Sequence, residues 1–112
     1  MISRSGLVKQ CGVSKRTLEH YASKAGYYIL VPVRTDTVGC WYQDDAVDIL
    51  ENIKKLKNVG FSLREISQYE NSSEDVRHQR LLKQIPVLDA RISRVVKQKQ
   101  YLEQMLEEAK WD

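Results

Sequence analysis

The sequence has few of the features that mark membrane or secreted proteins. Its 112 residues contain no apolar run of about 18 residues, the length that a membrane-spanning helix needs. The first residues, Met-Ile-Ser-Arg-Ser-Gly, lack the apolar stretch of a secretory signal. We therefore expect a cytoplasmic protein that does not associate with membranes.

Cysteines are few, and catalytic motifs are missing from the sequence. Cys11 and Cys40 lie far apart and form no Cys-x-x-Cys or Cys/His cluster, so we expect no metal site. Core packing is the favoured role of Cys11, and a free structural thiol that of Cys40. The sequence contains no nucleophile-elbow or phosphate-loop motif. We therefore expect no enzyme, no catalytic residue and no cofactor.

Positive charge is concentrated in the N-terminal part of the chain. Residues 1–43 contain six Lys or Arg and two Asp or Glu, which gives them a net charge of +4, whereas the whole chain carries +3. A surface of this sign suits contact with DNA, although many protein surfaces carry as much charge without binding it. The lysines of the predicted third helix (Lys54, Lys55 and Lys57) fit equally well a solvated helix face or attraction to the DNA backbone.

The N-terminal residues predict a helix-turn-helix. A first helix is expected over about residues 5–11 and a second over about residues 15–24. Between them, residues 12–14 are Gly-Val-Ser, in which glycine can end one helix and serine can cap the next. A short helix, a glycine-containing turn and a second helix with a polar face define this motif.

The middle of the chain predicts a hairpin followed by two helices. Residues 27–42 contain two β-prone runs around a polar turn, and Pro32 limits the first to an edge or irregular strand. Apolar residues then recur at helical spacing over about residues 44–59. The next helix begins near Ser62, which forms a capping-box pattern with Glu65.

The last third of the chain predicts one long helix with a heptad pattern. It covers about residues 73–110, and Pro86 can bend it. The heptad pattern places apolar residues in a seam along one side of this helix. A second copy of the chain is favoured over the chain's own N-terminal part as the surface that packs on this seam. We therefore expect a DNA-binding domain over residues 1–72 and a dimerisation helix over 73–112. The predicted seam consists of Ile85, Leu88, Ile92, Val95, Lys99, Leu102 and Leu106.

The second helix carries side chains suited to reading DNA. The N-terminal residues of such a helix reach base edges in the major groove. Arginine can pair with guanine, and threonine can contact a base or a thymine methyl group. The candidate DNA-contacting residues on or near its outer face are Ser14, Lys15, Arg16, Thr17, His20, Tyr21 and Lys24.

Two separated motifs resemble the MerR family of bacterial transcriptional regulators. The family's N-terminal L-A-x-x-x-G-V-S-x-R-T-L-R-Y-Y is similar to Leu-Val-Lys-Gln-Cys-Gly-Val-Ser-Lys-Arg-Thr-Leu-Glu-His-Tyr at residues 7–21. Its later G-F-S-L-x-E-I is matched by Gly-Phe-Ser-Leu-Arg-Glu-Ile at residues 60–66. With the tyrosine-led start of the third helix at residues 42–47, the resemblance covers nearly the whole chain.

The resemblance implies a mainly α-helical, winged helix-turn-helix protein. In the family, a C-terminal antiparallel coiled coil joins two copies that read an inverted repeat in double-stranded DNA. It implies DNA contact by Arg16, Thr17 and Tyr21, and a wing role for the hairpin with Arg34 and Trp41. It also allows RNA polymerase as a partner. The sequence stops at residue 112, so we expect a short member without a separate effector domain, and the effector stays unknown.

This sequence departs from the family pattern in the recognition helix and the wing. Glu19 and His20 occupy positions where the family usually has arginine and tyrosine, and Glu19 would repel phosphate unless it faces a cytosine amino group or points away. The wing motif is reduced to Gly-Cys-Trp-Tyr at residues 39–42, without the arginine that usually holds the backbone. A protein–protein adaptor built on the same module is the alternative function, such as a chaperone modulator, an excision or partition factor, or an antagonist of a full-length relative. Salt-sensitive binding to duplex DNA distinguishes a DNA reader from an adaptor.

Overall fold

The computed structural model describes residues 1–109, and the chain divides into two compact units, residues 1–72 and 73–112. The helices of the first unit are α1 (Arg4–Cys11), α2 (Lys15–Tyr21), α3 (Ala46–Asn58) and α4 (Leu63–Glu70), with a 3-10 turn at Lys24–Gly26. Its strands are β1 (Ile2–Ser3), β2 (Arg34–Thr35) and β3 (Cys40–Tyr42), which form one antiparallel sheet with β3 in the middle. The second unit is the long helix α5 (Glu74–Glu108).

Local hydrogen bonds form the helix-turn-helix where the sequence predicted it. The hydroxyl of Ser3 caps α1 by accepting the Gly6 N–H at 3.1 Å. Gly12 ends α1 in the left-handed region at φ 67°, which glycine adopts without a steric penalty. Ser14 then caps α2 by accepting the Thr17 N–H at 3.0 Å. The predicted turn is therefore confirmed.

The segment between α2 and the hairpin differs from the prediction. The second helix ends at Tyr21 rather than near Lys24, which lies in the 3-10 turn instead. The first β-prone run forms no strand, because Tyr27 and Tyr28 have φ values of 59° and 50°. Turn hydrogen bonds hold this conformation, including one of 3.1 Å from the Tyr28 N–H to the Ser23 carbonyl. Local hydrogen bonds here override β propensity.

The hairpin is shorter than predicted and gains an additional strand. The carboxylate of Asp36 closes its turn by accepting the N–H groups of Val38 at 2.9 Å and Gly39 at 3.0 Å. On its other edge, β3 pairs with β1, so that Ile2 lies opposite Tyr42. Strand β1 was not predicted from the sequence. This pairing joins the start of α1 to the wing, which we define as residues 34–42.

The core of the first unit combines residues from α1 to α4 with those of the wing. Both cysteines are buried and free, which confirms the core role predicted for Cys11 and the free thiol predicted for Cys40. The half-buried Val13 packs against the core from the turn. The buried apolar residues are Leu7, Cys11, Leu18, Tyr21, Leu30, Cys40, Tyr42, Ala46, Leu50, Ile53, Leu56, Phe61 and Ile66.

A capping box starts α4 as predicted. The Glu65 N–H donates to the Ser62 hydroxyl at 3.2 Å, and the Ser62 N–H donates to the Glu65 carboxylate at 3.1 Å. Just before it, Gly60 takes a positive φ of 92°, which separates α4 from α3.

Helix α5 begins at the N-cap Ser73 and contains Pro86 in its interior. Its predicted end at Lys110 lies outside the described residues. Most of the predicted seam is exposed in the single chain, with Leu102 at 56% and Leu106 at 66% of full accessibility. No helix in the described part of the chain is long and apolar enough to cross a membrane.

Candidate nucleic-acid interface

The exposed face of α2 carries most of the predicted DNA-contacting residues. Lys15, Arg16 and His20 are exposed, and Thr17 is half-buried. The Thr17 hydroxyl lies 2.8 Å from that of Ser14, so these two side chains are hydrogen-bonded to each other at the start of the helix. Arg16 and His20 are four residues apart and therefore lie on the same side of α2. This face presents positive charge and hydrogen-bond donors at the N-terminal end of the helix.

Tyr21 does not lie on the outer face, and that expectation was wrong. Its side chain is only 4% exposed, because it follows Leu18 by three residues and lies on the same buried side of α2. The hydroxyl accepts a hydrogen bond of 3.0 Å from Nζ of Lys57 on α3. Nζ lies 5.3 Å from the ring centroid, so the lysine contacts the hydroxyl end of the tyrosine more closely than its ring face.

Lysines of α3 hold the helix-turn-helix from behind. Nζ of Lys54 donates to the carbonyl oxygen of Cys11, the last residue of α1. Together with the bond from Lys57 to Tyr21, this contact ties α3 to both helices of the motif. The sequence left the role of these lysines open, and neither contact was predicted from it. A cation at a helix C-terminus also interacts favourably with the helix dipole, and Lys54 places its ammonium group at the C-terminal end of α1.

Glu19 on helix α2 is paired rather than free. Its Oε1 lies 3.6 Å from Nη1 of Arg4, in the first turn of α1. The two side chains are 55% and 29% exposed, so water screens the pair and its contribution to stability is small. The pair nevertheless offsets the negative charge of the carboxylate that α2 carries.

In the wing, Arg34 and Trp41 form a cross-strand pair on neighbouring strands. The guanidinium carbon of Arg34 lies 5.3 Å from the centroid of the Trp41 ring, and its Nε lies 3.2 Å from Asp36. These contacts order the arginine while leaving it about half exposed. The Trp41 indole nitrogen is buried without a hydrogen-bond partner among the described residues.

At the end of the wing, Tyr42 is almost fully buried. Burial, reinforced by the neighbouring Cys40, raises the pKa of the Tyr42 hydroxyl above its usual 10.0. Tyr42 is therefore a neutral core residue that supports the sheet. Within the described part of the chain, no group of three or more His, Cys, Asp or Glu residues could hold a metal ion.

A helix-turn-helix with an exposed basic helix, followed by a small hairpin wing, defines a winged-helix DNA-binding protein. Comparison with known families agrees with this class. The model described as "MerR HTH family regulatory protein" matches residues 3–73, and the one described as "MerR, DNA binding" matches residues 47–108. The chain therefore belongs to the MerR family of DNA-binding transcriptional regulators, and the predicted family and fold class are confirmed.

Solved structures show the same architecture. The N-terminal part of MtaN, the multidrug transporter activator of Bacillus subtilis, is 26% identical, with a TM-score of 0.81 over 95% of this chain and 98% of that one. A MerR-family transcriptional regulator from Bacillus cereus is 23% identical, with a TM-score of 0.77 over 99% of this chain and 87% of that one. This second likeness concerns the fold alone. A search among curated protein sequences gave no match.

Proposed function

We propose that this chain is a homodimeric, sequence-specific regulator of transcription that reads an inverted repeat in duplex DNA. Helix α2 enters the major groove and the wing contacts the adjacent backbone. The observation that carries the proposal is the outward face of α2, where Lys15, Arg16 and His20 are exposed while Leu18 and Tyr21 anchor the helix in the core. Such a protein works by binding and performs no chemical step of its own.

Base reading is assigned to Arg16, with Thr17 and His20 beside it. Arginine binds guanine through two parallel hydrogen bonds, and such a pair contributes about 1–3 kcal/mol of discrimination. The assignment includes Lys15 and Lys24 as exposed backbone contacts and Ser14 at the capped start of the helix. Tyr21 is left out, because its ring is buried.

An alanine at Arg16 tests this assignment. We expect the Arg16→Ala chain to lose about 1–3 kcal/mol of binding free energy and to relax its preference at one base pair. Arg64, which is exposed at the start of α4, provides the matched control, because Arg64→Ala removes the same charge away from α2. Fluorescence anisotropy on the selected site and on single-base variants measures both effects. Equal affinity and preference for the Arg16→Ala and wild-type chains would contradict the assignment.

Dimerisation is assigned to the exposed apolar face of α5. Ile92 and Val95 are 61% and 59% exposed, and with Leu88 they line a shallow apolar groove of about 450 Å³. A long helix with such a heptad seam gains stability by packing against another helix. The partner we propose is α5 of a second copy of the chain, packed as in the family's antiparallel coiled coil. The spacing between the two recognition helices then sets the spacing of the half-sites.

A charge in the seam tests the dimer. We expect Leu102→Asp to give monomers in light scattering, because two buried carboxylates would face an apolar seam. Gln100→Asp introduces the same carboxylate outside the predicted seam and should leave the dimer intact. A dimeric Leu102→Asp chain, or a monomeric wild-type chain, would refute the assigned seam.

Regulators of this kind act in the cytoplasm, and their work on promoters changes DNA shape rather than covalent structure. RNA polymerase is the partner through which such a change would alter transcription. A protein-binding adaptor is the second candidate, and the carboxylate of Glu19 on α2 favours it because it opposes phosphate. A DNA reader loses affinity steeply as salt rises, whereas an adaptor shows no duplex binding to lose.

A further inference from the structure

We propose that Arg4 binds a phosphate of the DNA backbone between α1 and the wing, and that Glu19 holds Arg4 in an ion pair when DNA is absent. This inference rests on the proposed function and adds to it a contact and a control element. Neither residue belongs to the predicted reading face.

Two surface cavities flank Arg4 in the first unit. One, of about 420 Å³, lies between the first turn of α1 and the wing and is lined by Ser3, Arg4, Ser5, Val38, Gly39, Cys40 and Trp41. The other, of about 350 Å³, extends from α1 to the start of α2 and is lined by Arg4, Ser5, Val8, Lys9 and Lys15. Arg4 and Ser5 line both cavities, so the two cavities adjoin at the first turn of α1, one towards α2 and the other towards the wing.

The chemistry of this surface suits a phosphate group. Its three charged lining residues, Arg4, Lys9 and Lys15, are all cations, and no carboxylate is among the lining residues. The hydroxyls of Ser3 and Ser5, which lie 3.2 Å apart, add hydrogen-bonding groups. Arginine is well suited to phosphate because its planar guanidinium can donate two parallel hydrogen bonds.

The position of the surface identifies the source of the phosphate. It lies between Lys15, at the start of the recognition helix, and residues 38–41 of the wing. A DNA backbone that follows the groove edge from one of these elements to the other would cross Arg4. The surface therefore continues the proposed interface, which favours a DNA phosphodiester over a free anion.

Glu19 competes for the same guanidinium. In the free chain its carboxylate lies 3.6 Å from Arg4, at a site that water screens. Such exposed pairs contribute little to stability, so a phosphate can displace the carboxylate. Each binding event must first break the pair, and Glu19 thereby lowers affinity for any duplex, including non-specific DNA.

Salt-dependent DNA binding by single and double variants tests the proposal. We expect Arg4→Ala to weaken binding about three- to tenfold at every site sequence. It should also reduce the slope of log K against log salt by about 0.9, the value for one lost phosphate contact. A role in stability alone would leave that slope unchanged. Arg64→Ala is again the control of equal charge.

Glu19→Gln should strengthen binding of the chain with Arg4, and its effect should shrink in the Arg4→Ala background. An equal gain in both backgrounds would overturn the restraint, because the effect would then be that of net charge. Weaker binding by Glu19→Gln with an altered base preference would also overturn it, since Glu19 would then read a base. If Arg4→Ala left the affinity and the salt slope unchanged, the proposed contact between Arg4 and a DNA phosphate would be refuted.

A separate titration distinguishes DNA from a free anion. In a Trp111→Phe chain, Trp41 is the remaining tryptophan of the two in the sequence and lines the cavity beside Arg4. We expect duplex DNA to change its fluorescence and inorganic phosphate at equal ionic strength to leave it unchanged. A saturable response to inorganic phosphate would overturn the assignment to the DNA backbone. Failure of the wild-type chain to bind any duplex would instead count against the proposed function itself.

Discussion

Replacing Gly26 with alanine tests how the segment after α2 packs against that helix. A Cβ atom at this position would lie 2.0 Å from the carbonyl oxygen of His20 and 2.8 Å from Cα of Tyr21. Both are backbone atoms of the last turn of α2, so no flexible side chain can move aside. Either the end of α2 or the 3-10 turn must shift.

The expected cost follows from the contacts that such a shift would disturb. Overpacking of this kind costs about 1–3 kcal/mol. Movement of the turn also strains the bonds from the Gly26 N–H to the Ser23 carbonyl at 3.1 Å and from the Ile29 N–H to the Gly26 carbonyl at 3.3 Å. With about 0.5 kcal/mol for each of these two weakened bonds, we expect Gly26→Ala to lower the free energy of unfolding by about 2–4 kcal/mol in total.

Urea unfolding followed by circular dichroism measures this loss, at one protein concentration because a dimer is proposed. Gly39→Ala is the matched control, since a Cβ there would meet no atom within 4 Å. We expect it to change stability by less than about 0.5 kcal/mol. A Gly26→Ala chain as stable as the control would refute the packing described for this segment.

Three further predictions concern the core and the helix ends. Because burial raises the pKa of Tyr42, the contribution of its neutral hydroxyl to stability is complete below pH 10.0 and declines as the pH rises towards the folded-state pKa. In urea unfolding at alkaline pH, the Tyr42→Phe chain should therefore lose less stability than the wild type. Identical alkaline profiles of the two chains would contradict this. Ser62→Ala removes the capping box of α4 and should cost about 1 kcal/mol in urea unfolding, whereas a loss near zero would mean that the cap contributes nothing. Lys57→Met removes the hydrogen bond to Tyr21 and should cost about 0.5–1 kcal/mol without altering the base preference in DNA selection; an altered preference would place Lys57 on DNA.

Local sequence signals predicted the helix-turn-helix and the start of α4. The glycine and serine of residues 12–14 act within one helical turn, as do Ser62 and Glu65, so neighbouring residues alone determine these structures. The family motifs at residues 7–21 and 60–66 then supplied the fold, which the structure and the family comparison confirm.

Contacts between distant residues could not be predicted in this way. The pairing of β1 with the wing joins Ile2 to Tyr42, and no local pattern marks a two-residue strand. The segment around Tyr27 has high β propensity, but its turn hydrogen bonds and the packing of Gly26 against α2 determine its conformation. The spacing of Tyr21 to Leu18 places both side chains on the buried side of α2, whereas the family motif implied that Tyr21 contacts DNA.

The ion pairs and hydrogen bonds of charged side chains at the candidate site could not be predicted from local sequence either. Lys54 bonds to a carbonyl 43 residues earlier in the chain, and Arg4 pairs with Glu19 across two helices. Long side chains reach partners that only the tertiary structure brings together. The sequence therefore predicted which helix presents an exposed basic face, and it left undetermined which charged side chains are already paired within the chain.

Selection of random duplex DNA on the purified protein tests whether the chain binds an inverted repeat in a sequence-specific way. The selection is run at low and at moderate salt, because phosphate contacts weaken as salt rises and base contacts preserve specificity. We expect an enriched inverted repeat at both salts, with half-sites at a fixed spacing set by the dimer. Binding without enrichment would contradict sequence-specific reading, and no binding at either salt would contradict the proposed regulator and favour the adaptor.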